Sequence, residues 1–397
     1  MNSFFANYAD EVDEKEMAEI INKYALNPQI NQSENQGNHD TNNNGNESNN
    51  ESNNTSSVSD FRAKLNLINS MENKINKFQK ALTNIKNDLL TNQVQYLKTV
   101  KQYTQKTKEW HDVRRQMFTA SSDVCSILNK SKYTGLKQTI SKKINDSSSF
   151  KGNKYTQFGN KYERIGIQIY ESRYNKTVEE FGLLSHPTIA WLGASPDGIT
   201  TDGRLVEIKV PYTRQLTGAI ETQYFVQIQT QMEVCDLDVC DFFECKITEY
   251  FNKQQYDNDQ FNENEITFLD IIPKTTDLNF IKVPDNRRTQ DGLEKGMIGR
   301  IGTWTTSDTN EYIYPPMHWT SIEQYEWLME KKKKFMDEQD KVMHIDYWKL
   351  ETSSYNEVPR DREWWKNNQV EAKLANAWKQ VEEAKSKQPS KKITTNK

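Results

Sequence analysis

Three charged residues, Asp197, Glu207 and Lys209, stand among apolar residues in the stretch LGASPDGITTDGRLVEIKVP at residues 192–211. Asp197 follows a proline at the end of one predicted strand, and Glu207 and Lys209 alternate with apolar residues on the next one. Because strand side chains alternate between two faces, Glu207 and Lys209 share a face that Asp197 can reach from the adjacent strand. The stretch therefore predicts a hairpin that holds two carboxylates and an ammonium group together.

These residue types suit hydrolysis assisted by a divalent cation. Two carboxylates about 4 Å apart repel each other by roughly 4 kcal/mol at an effective dielectric constant of 20, and a cation between them removes that repulsion. Hard oxygen ligands of this kind suit Mg²⁺ or Mn²⁺. The alternative is an ion pair in which the lysine only neutralises one of the acids. Taken alone, the hairpin leaves both interpretations open.

A second group of polar residues lies upstream, in EWHDVRRQMFTASSDVCSIL. Ser121 or Ser122 can cap a helix that begins at Asp123, because a serine at this position accepts hydrogen bonds from free backbone amides. Arg114 and Arg115 precede the cap, and an arginine beside a helix N-terminus can bind a phosphate. Surface arginines beside an ordinary cap are the alternative interpretation.

The elements that would position these residues are a helix and a lysine-rich segment between the two groups. Apolar residues recur with helical spacing in FGNKYERIGIQIYESRY, which places Glu163 near the start of a predicted helix. The lysines before this helix form either a basic face for a DNA backbone or an ordinary solvated face.

The order of these segments resembles the PD-(D/E)XK nucleases, and among them the lambda-exonuclease group, also called the YqaJ-like viral recombinase family. SPDG followed by EIK is similar to the Asp…Glu-x-Lys signature, and WHDVRRQMFTAS is similar to the phosphate-binding motif. FGNKYE resembles the helix that carries a glutamate, and YFVQIQTQMEV resembles the helix that carries a glutamine. The resemblance covers residues 105–250. It implies an α/β fold with a restriction-endonuclease-like core, in which helices flank a mixed central sheet.

The resemblance also implies a metal centre that holds Mg²⁺ or Mn²⁺, in the family as two ions. Asp197, Glu207, Glu163 and the backbone carbonyl of Ile208 would be the ligands. Lys209 would orient or deprotonate the attacking water and stabilise the transition state.

Two further roles follow from the same resemblance. Gln227 would position the catalytic lysine or the water, and Gln229 is the competing candidate because both residues fit the Q-x-Q pattern. Arg114 and Ser121 would bind a phosphate, which in the family is 5′-terminal. Arg115 is the alternative to Arg114, although the spacing from the preceding tryptophan favours Arg114.

Composition divides the chain into four predicted regions. Residues 1–59 are acidic and then Asn-rich, which is typical of disorder. Residues 60–105 carry a heptad seam, and the helix either pairs between chains or packs on its own domain. Residues 106–285 would form the nuclease domain. Residues 286–397 would form a largely helical C-terminal extension with a basic tail.

The four cysteines test a different interpretation. Cys235, Cys240 and Cys245 follow the predicted site, and related nucleases with an iron–sulfur cluster carry three cysteines in a similar place. The segment CDLDVCDFFEC alternates like a strand, however, so its thiols would not converge on one metal. Cys125 lies where the family has no ligand. We therefore predict no structural zinc or cluster.

The composition of the chain argues against a membrane-spanning or secreted protein. Net charge is −4, and there is neither an apolar run long enough to span a bilayer nor a signal peptide at the N-terminus. These features, with only four cysteines, predict a soluble intracellular protein in the host cytoplasm or nucleus, or one packaged in the virion if the source is viral.

The resemblance implies a 5′→3′ exonuclease that acts on duplex DNA ends in recombination or replication. Its expected partners are DNA ends, a single-strand annealing protein and further copies of the chain. The alternatives are a structure-specific endonuclease with the same metal centre and a non-catalytic DNA-binding or scaffold protein.

Overall fold

The computed structural model describes residues 52–121, 123–145, 152–261, 283–303, 311–339 and 341–387. Most of the predicted disordered region and most of the basic tail lie outside these ranges. Within them, no helix combines the length and the apolar character that a membrane span requires. The chain divides into two compact units, one up to Leu89 and the other from Leu90 onward, and the predicted site residues all belong to the second unit.

The first element is a long helix, α1 (Ser52–Thr99), whose residues fall in both units. The apolar seam of its first part faces solvent, with the side chain of Phe61 66% exposed and that of Leu89 57% exposed. Val94 and Leu97, in contrast, are buried in the core of the second unit. The helix thus ends at Thr99, and its last residues pack within the second unit.

The remaining helices are α2 (Lys108–Arg115), α3 (Asp123–Ile127), α4 (Leu136–Asn145), α5 (Lys154–Tyr174), α6 (Thr222–Cys235), α7 (Lys253–Asn258), α8 (Ser321–Gln339), α9 (Arg362–Asn367) and α10 (Val370–Ser386). The strands are β1 (Phe118–Thr119), β2 (Val178–Glu179), β3 (Leu184–Ser185), β4 (Leu192–Ala194), β5 (Gly198–Thr200), β6 (Leu205–Lys209), β7 (Val239–Glu249), β8 (Lys295–Thr303), β9 (Glu311–Ile313) and β10 (Lys341–Pro359).

Seven of these strands form a mixed sheet in the order β2-β5-β6-β7-β10-β8-β9. β6 and β7 run parallel, and the other neighbouring pairs are antiparallel. A smaller sheet has the order β1-β4-β3. Helices pack on both faces of β6, with α5 and α6 each in contact with it. The prediction of an α/β fold with a mixed central sheet flanked by helices is confirmed.

The C-terminal region departs from the prediction of a largely helical extension. Its strand β10 lies between β7 and β8 and pairs with β7 from Trp348 to Pro359. Three strands of the main sheet thus come from residues after 286. The physical reason is that β7 and β8 would otherwise leave their inner backbone groups unpaired, which is costly in a buried sheet. The region is therefore part of the folded domain and not an appendage.

Two apolar layers cover the faces of the main sheet, and β6 contributes to both. Leu205 packs into the layer that includes residues of α6, whereas Val206 and Ile208 pack into the layer that includes residues of α5. The predicted alternation is thereby confirmed, because it leaves Glu207 and Lys209 on the face of Leu205.

Candidate active site

The hairpin of β5 and β6 brings the first two predicted acids together. Gly198 pairs with Val206, so that Asp197, one residue earlier, lies across from Glu207. Asp197 Oδ2 accepts a hydrogen bond from the backbone N–H of Ile208 at 2.8 Å. The two carboxylates are therefore held by the backbone register of one hairpin.

Glu207 is fully buried, and its carboxylate accepts hydrogen bonds from three side chains. Lys209 Nζ donates to Oε1, as does Gln227 Nε2 at 2.7 Å. Gln231 Nε2 donates to Oε2 at 2.9 Å. Of the two candidates in the Q-x-Q pattern, Gln227 is the one that contacts Glu207. Gln229 instead donates to the carbonyl of Pro359 and accepts from the N–H of Asp361.

The sequence interpretation did not identify Gln231. The signal that points to it is helical spacing, because residues four apart on α6 share a face and residues two apart do not. Gln227 and Gln231 satisfy this spacing, whereas Gln229 faces away from Glu207.

Burial and the charges of neighbouring groups shift the pKa values of the ionisable side chains at this site. Burial raises the pKa of Asp197 well above its usual range, and the charges of Glu207 and Glu163 raise it further. Burial also raises the pKa of Glu163, although Lys106, 3.9 Å from its carboxylate, and Lys209 oppose that shift. Burial alone would lower the pKa of Lys209, but Glu207 and Asp197 raise it overall. Lys209 therefore stays protonated at neutral pH.

The donors fit a hard divalent cation in chemistry and in charge. Three acids, Glu163, Asp197 and Glu207, influence one another electrostatically, and their carboxyl groups outnumber the two lysines, Lys106 and Lys209, that act on them. In the part of the chain that the structure describes, no three His, Cys, Asp or Glu side chains already stand close enough together to hold an ion. Binding would thus require the carboxylates to turn toward a common point, away from the contact with Lys209.

A cavity of about 1000 Å³ opens beside this cluster. Glu163, Ile208 and Lys209 line it, which gives them access to a substrate. Its other walls carry aromatic and basic side chains, including Tyr133, Tyr155, Tyr212, Lys132 and Arg214. Aromatic rings among cations suit a nucleic-acid strand, because rings stack on bases and cations contact phosphates.

A second cavity, of about 960 Å³, contains the predicted phosphate-binding arginine. Arg114 Nη2 donates to Ser121 Oγ at 3.2 Å, and its guanidinium lies 4.1 Å from the centre of the Trp110 ring. Arg115 also lines this cavity but hydrogen-bonds to Asp112. The structure thus brings Arg114 and Ser121 together as predicted.

The helix behind this pair begins at Asp123, as predicted, but it is only five residues long. Ser122, the alternative cap, lies outside the described residues. Because this helix is so short, attraction of a phosphate to the cavity depends on charged side chains. Lys142 and Lys143 of α4 line the same cavity. Lys143 Nζ contacts Asp123 at 2.9 Å and donates to the carbonyl of Arg114 at 2.8 Å, which fixes the arginine's backbone.

The two cavities are neighbours, because Thr156 and Asn160 of α5 line both. One turn of a helix thus separates a basic pocket from the acidic cluster.

The cysteines take no part in either cavity. Cys240 and Cys245 lie on opposite faces of β7 in different apolar layers, and Cys235 ends α6. All four cysteines are buried and free. Burial raises the pKa of Cys235 to about 12, so that its thiol stays protonated and unreactive at neutral pH.

Part of this chain, including the site, matches the model of a described family. Residues 109–238 match the model of the YqaJ-like viral recombinase domain, a range that contains every predicted site residue. Uncharacterized protein R354 of Acanthamoeba polyphaga mimivirus is 28% identical over 293 residues, which cover 67% of this chain and 51% of that protein. The chain thus spans about half the length of that curated relative.

Two solved structures cover most of the chain at low identity. An alkaline exonuclease from Laribacter hongkongensis, LHK-Exo, is 21% identical with a TM-score of 0.38, over 71% of this chain and 97% of that one. A phage-related exonuclease from Haemophilus somnus is 12% identical with a TM-score of 0.31, over 72% of this chain and 96% of that one.

Proposed function

We propose that this chain, whose residues 109–238 match the model of the YqaJ-like viral recombinase domain, is a metal-dependent nuclease that hydrolyses phosphodiester bonds of DNA. The observation that carries the proposal is the group of Asp197, Glu207, Lys209 and Gln227, centred on the buried Glu207 carboxylate, beside an open cavity. A buried excess of carboxylates destabilises a fold unless the carboxylates are paired, which points to a functional reason for this one.

Each side chain has a part in the proposed reaction. Asp197, Glu207 and Glu163, with the carbonyl of Ile208, would hold one or two Mg²⁺ or Mn²⁺ ions. A bound divalent cation would supply an activated water and neutralise charge on the phosphate. Lys209 is best suited to donate a hydrogen bond to the phosphate oxygens as charge develops, because its raised pKa opposes a role as proton acceptor.

The second cavity supports an exonuclease that starts at a 5′ end. A terminal phosphate carries more negative charge than an internal one, and Arg114 with Lys142 and Lys143 offers a matching concentration of cations. Because the two cavities share Thr156 and Asn160, a strand anchored in the first can continue into the second. Digestion from that end would expose 3′ single strands, which a single-strand annealing protein could then use in recombination.

The test compares linear and closed circular duplex DNA, each labelled, with Mg²⁺ and with EDTA. We expect the linear DNA with 5′-phosphate ends to be shortened progressively and only in Mg²⁺, and the Asp197→Asn variant to be inactive. Cleavage of the closed circle would instead support the structure-specific endonuclease, which uses the same metal centre. Absence of cleavage on every DNA tested would contradict the proposal and leave a binding or scaffold protein.

A further inference from the structure

Gln231 is a buried polar residue whose contacts differ from those of the other glutamines on α6. Its side chain is fully buried, and Nε2 donates to Glu207 Oε2 at 2.9 Å. Its own Oε1 has no hydrogen-bond partner among the described residues. The orientation of the amide is fixed by charge, because only the NH₂ end can face a carboxylate oxygen favourably.

The unpaired end of this amide does not stabilise the fold, because a buried acceptor without a partner costs a desolvation penalty. Its paired end serves the Glu207 carboxylate. Gln229 provides the contrast, since both of its ends are paired, with Pro359 and Asp361 at 2.9 Å and 2.7 Å. Gln229 ties α6 to the chain after β10, whereas the hydrogen bond that Gln231 donates ties α6 to Glu207.

Gln231 and Gln227 together orient the Glu207 carboxylate. The two amides approach different oxygens of Glu207, Gln227 at Oε1 and Gln231 at Oε2, and so fix the plane of the carboxylate. Both donors are neutral, so they orient the group without cancelling the negative charge that a cation needs. Groups that orient a metal ligand in this way commonly change metal affinity about 10- to 100-fold when they are removed.

We infer that Gln231 is a positioning residue that presents the Glu207 carboxylate to the cation, an inference that rests on the proposed function of the same site. It acts through Glu207 and does not touch the substrate. Its side chain matches Met in size, so the donor can be removed without opening a large cavity.

The experiment measures binding of Mn²⁺ alone, without DNA, to the full chain by calorimetry and by electron paramagnetic resonance. We expect Gln231→Met to bind Mn²⁺ about tenfold more weakly or worse while it remains folded. Gln229→Met is the matched control and should lower the melting temperature while leaving Mn²⁺ affinity unchanged. In cleavage assays, Gln231→Met should need more Mg²⁺ for half-maximal rate and should recover most of its rate at saturating Mg²⁺.

Gln231→Asn, whose amide is one methylene too short to reach Glu207, provides the same test if the Met variant folds poorly. Wild-type Mn²⁺ affinity in a folded Gln231 variant would overturn the inference while leaving the nuclease intact. A wild-type chain that binds no Mn²⁺ would instead overturn the metal-dependent function on which the inference rests.

Discussion

Burial and neighbouring carboxyl groups raise the pKa values of acids at this site, so the stability of the fold should depend on pH. Asp197 has a pKa well above the value of about 3.9 that it has in an unfolded chain, first from burial and then from Glu207 and Glu163. Between these two values the folded state holds the proton that the unfolded state has lost. Without metal, the free energy of unfolding should therefore fall as pH rises through that window.

Thermal unfolding in EDTA from pH 5 to pH 8 measures this effect. We expect the melting temperature of the wild type to fall relative to that of Asp197→Asn as pH rises, since the variant cannot ionise there. Added Mg²⁺ should reduce the difference, because the ion stabilises the charged carboxylate. Parallel profiles for the two proteins in EDTA would contradict the assignment of a raised pKa to Asp197.

Substitution of Arg114 provides a test that distinguishes an exonuclease from an endonuclease. Loss of a charge-assisted hydrogen bond costs about 1.5–3 kcal/mol, so Arg114→Ala should slow digestion of 5′-phosphorylated duplex about tenfold or more. Digestion of 5′-hydroxyl duplex should change little, since the extra phosphate charge is absent. Initial rates on the two substrates give the measurement.

Arg115→Ala is the matched control for Arg114, because Arg115 lines the same cavity but hydrogen-bonds to Asp112. It should preserve the preference for the phosphorylated end. Equal slowing of both substrates by Arg114→Ala would identify a general backbone contact and favour the endonuclease.

At the scale of elements, the close approach of α5 to β6 determines where Glu163 stands. A Cβ atom at Gly166 would lie 2.5 Å from Cγ2 of Ile208, whereas one at Gly159 on the same helix would meet nothing within 4 Å. Gly166→Ala should therefore push α5 away from the strand and destabilise the fold by about 1–3 kcal/mol. It should also lower the cleavage rate, because Glu163 moves with the helix.

Gly159→Ala is the control for this packing argument. Alanine is favoured over glycine inside a helix by about 0.5–1 kcal/mol, so this variant should be slightly more stable than the wild type. Denaturant unfolding of both variants measures the two changes. Equal stability of the two would show that α5 tolerates displacement from β6.

Local periodicity explains why some elements of the site could be predicted and others could not. The strand alternation of Glu207 and Lys209 depends only on neighbouring residues, and it is present in the structure. The contacts of Gln231 depend on a helix packing across β6, which a Q-x-Q pattern does not reveal. The pairing of β10 with β7 joins residues about a hundred positions or more apart, and no local pattern encodes such a register.

At the scale of the molecule, the second unit contains both cavities and the complete main sheet. Strand β10 passes through the middle of that sheet, so the segment after residue 286 cannot be removed without loss of the fold. The first unit contributes none of the predicted site residues. Its heptad seam predicts either pairing between chains or packing on its own domain.

Removal of the first unit tests whether the seam pairs chains. The seam on α1 exposes Phe61, Leu65, Ile68 and Ile75 by roughly half or more of their surface, and such a row in water favours pairing with another helix. Deletion through Leu89 should therefore lower the mass of the particle to fewer chains, as measured by light scattering, while nuclease activity persists. Deletion of residues 1–57 leaves the seam intact and is the control, which should keep the original number of chains. An equal number of chains in both truncated proteins would show that the seam does not hold chains together, and that any association depends on the second unit.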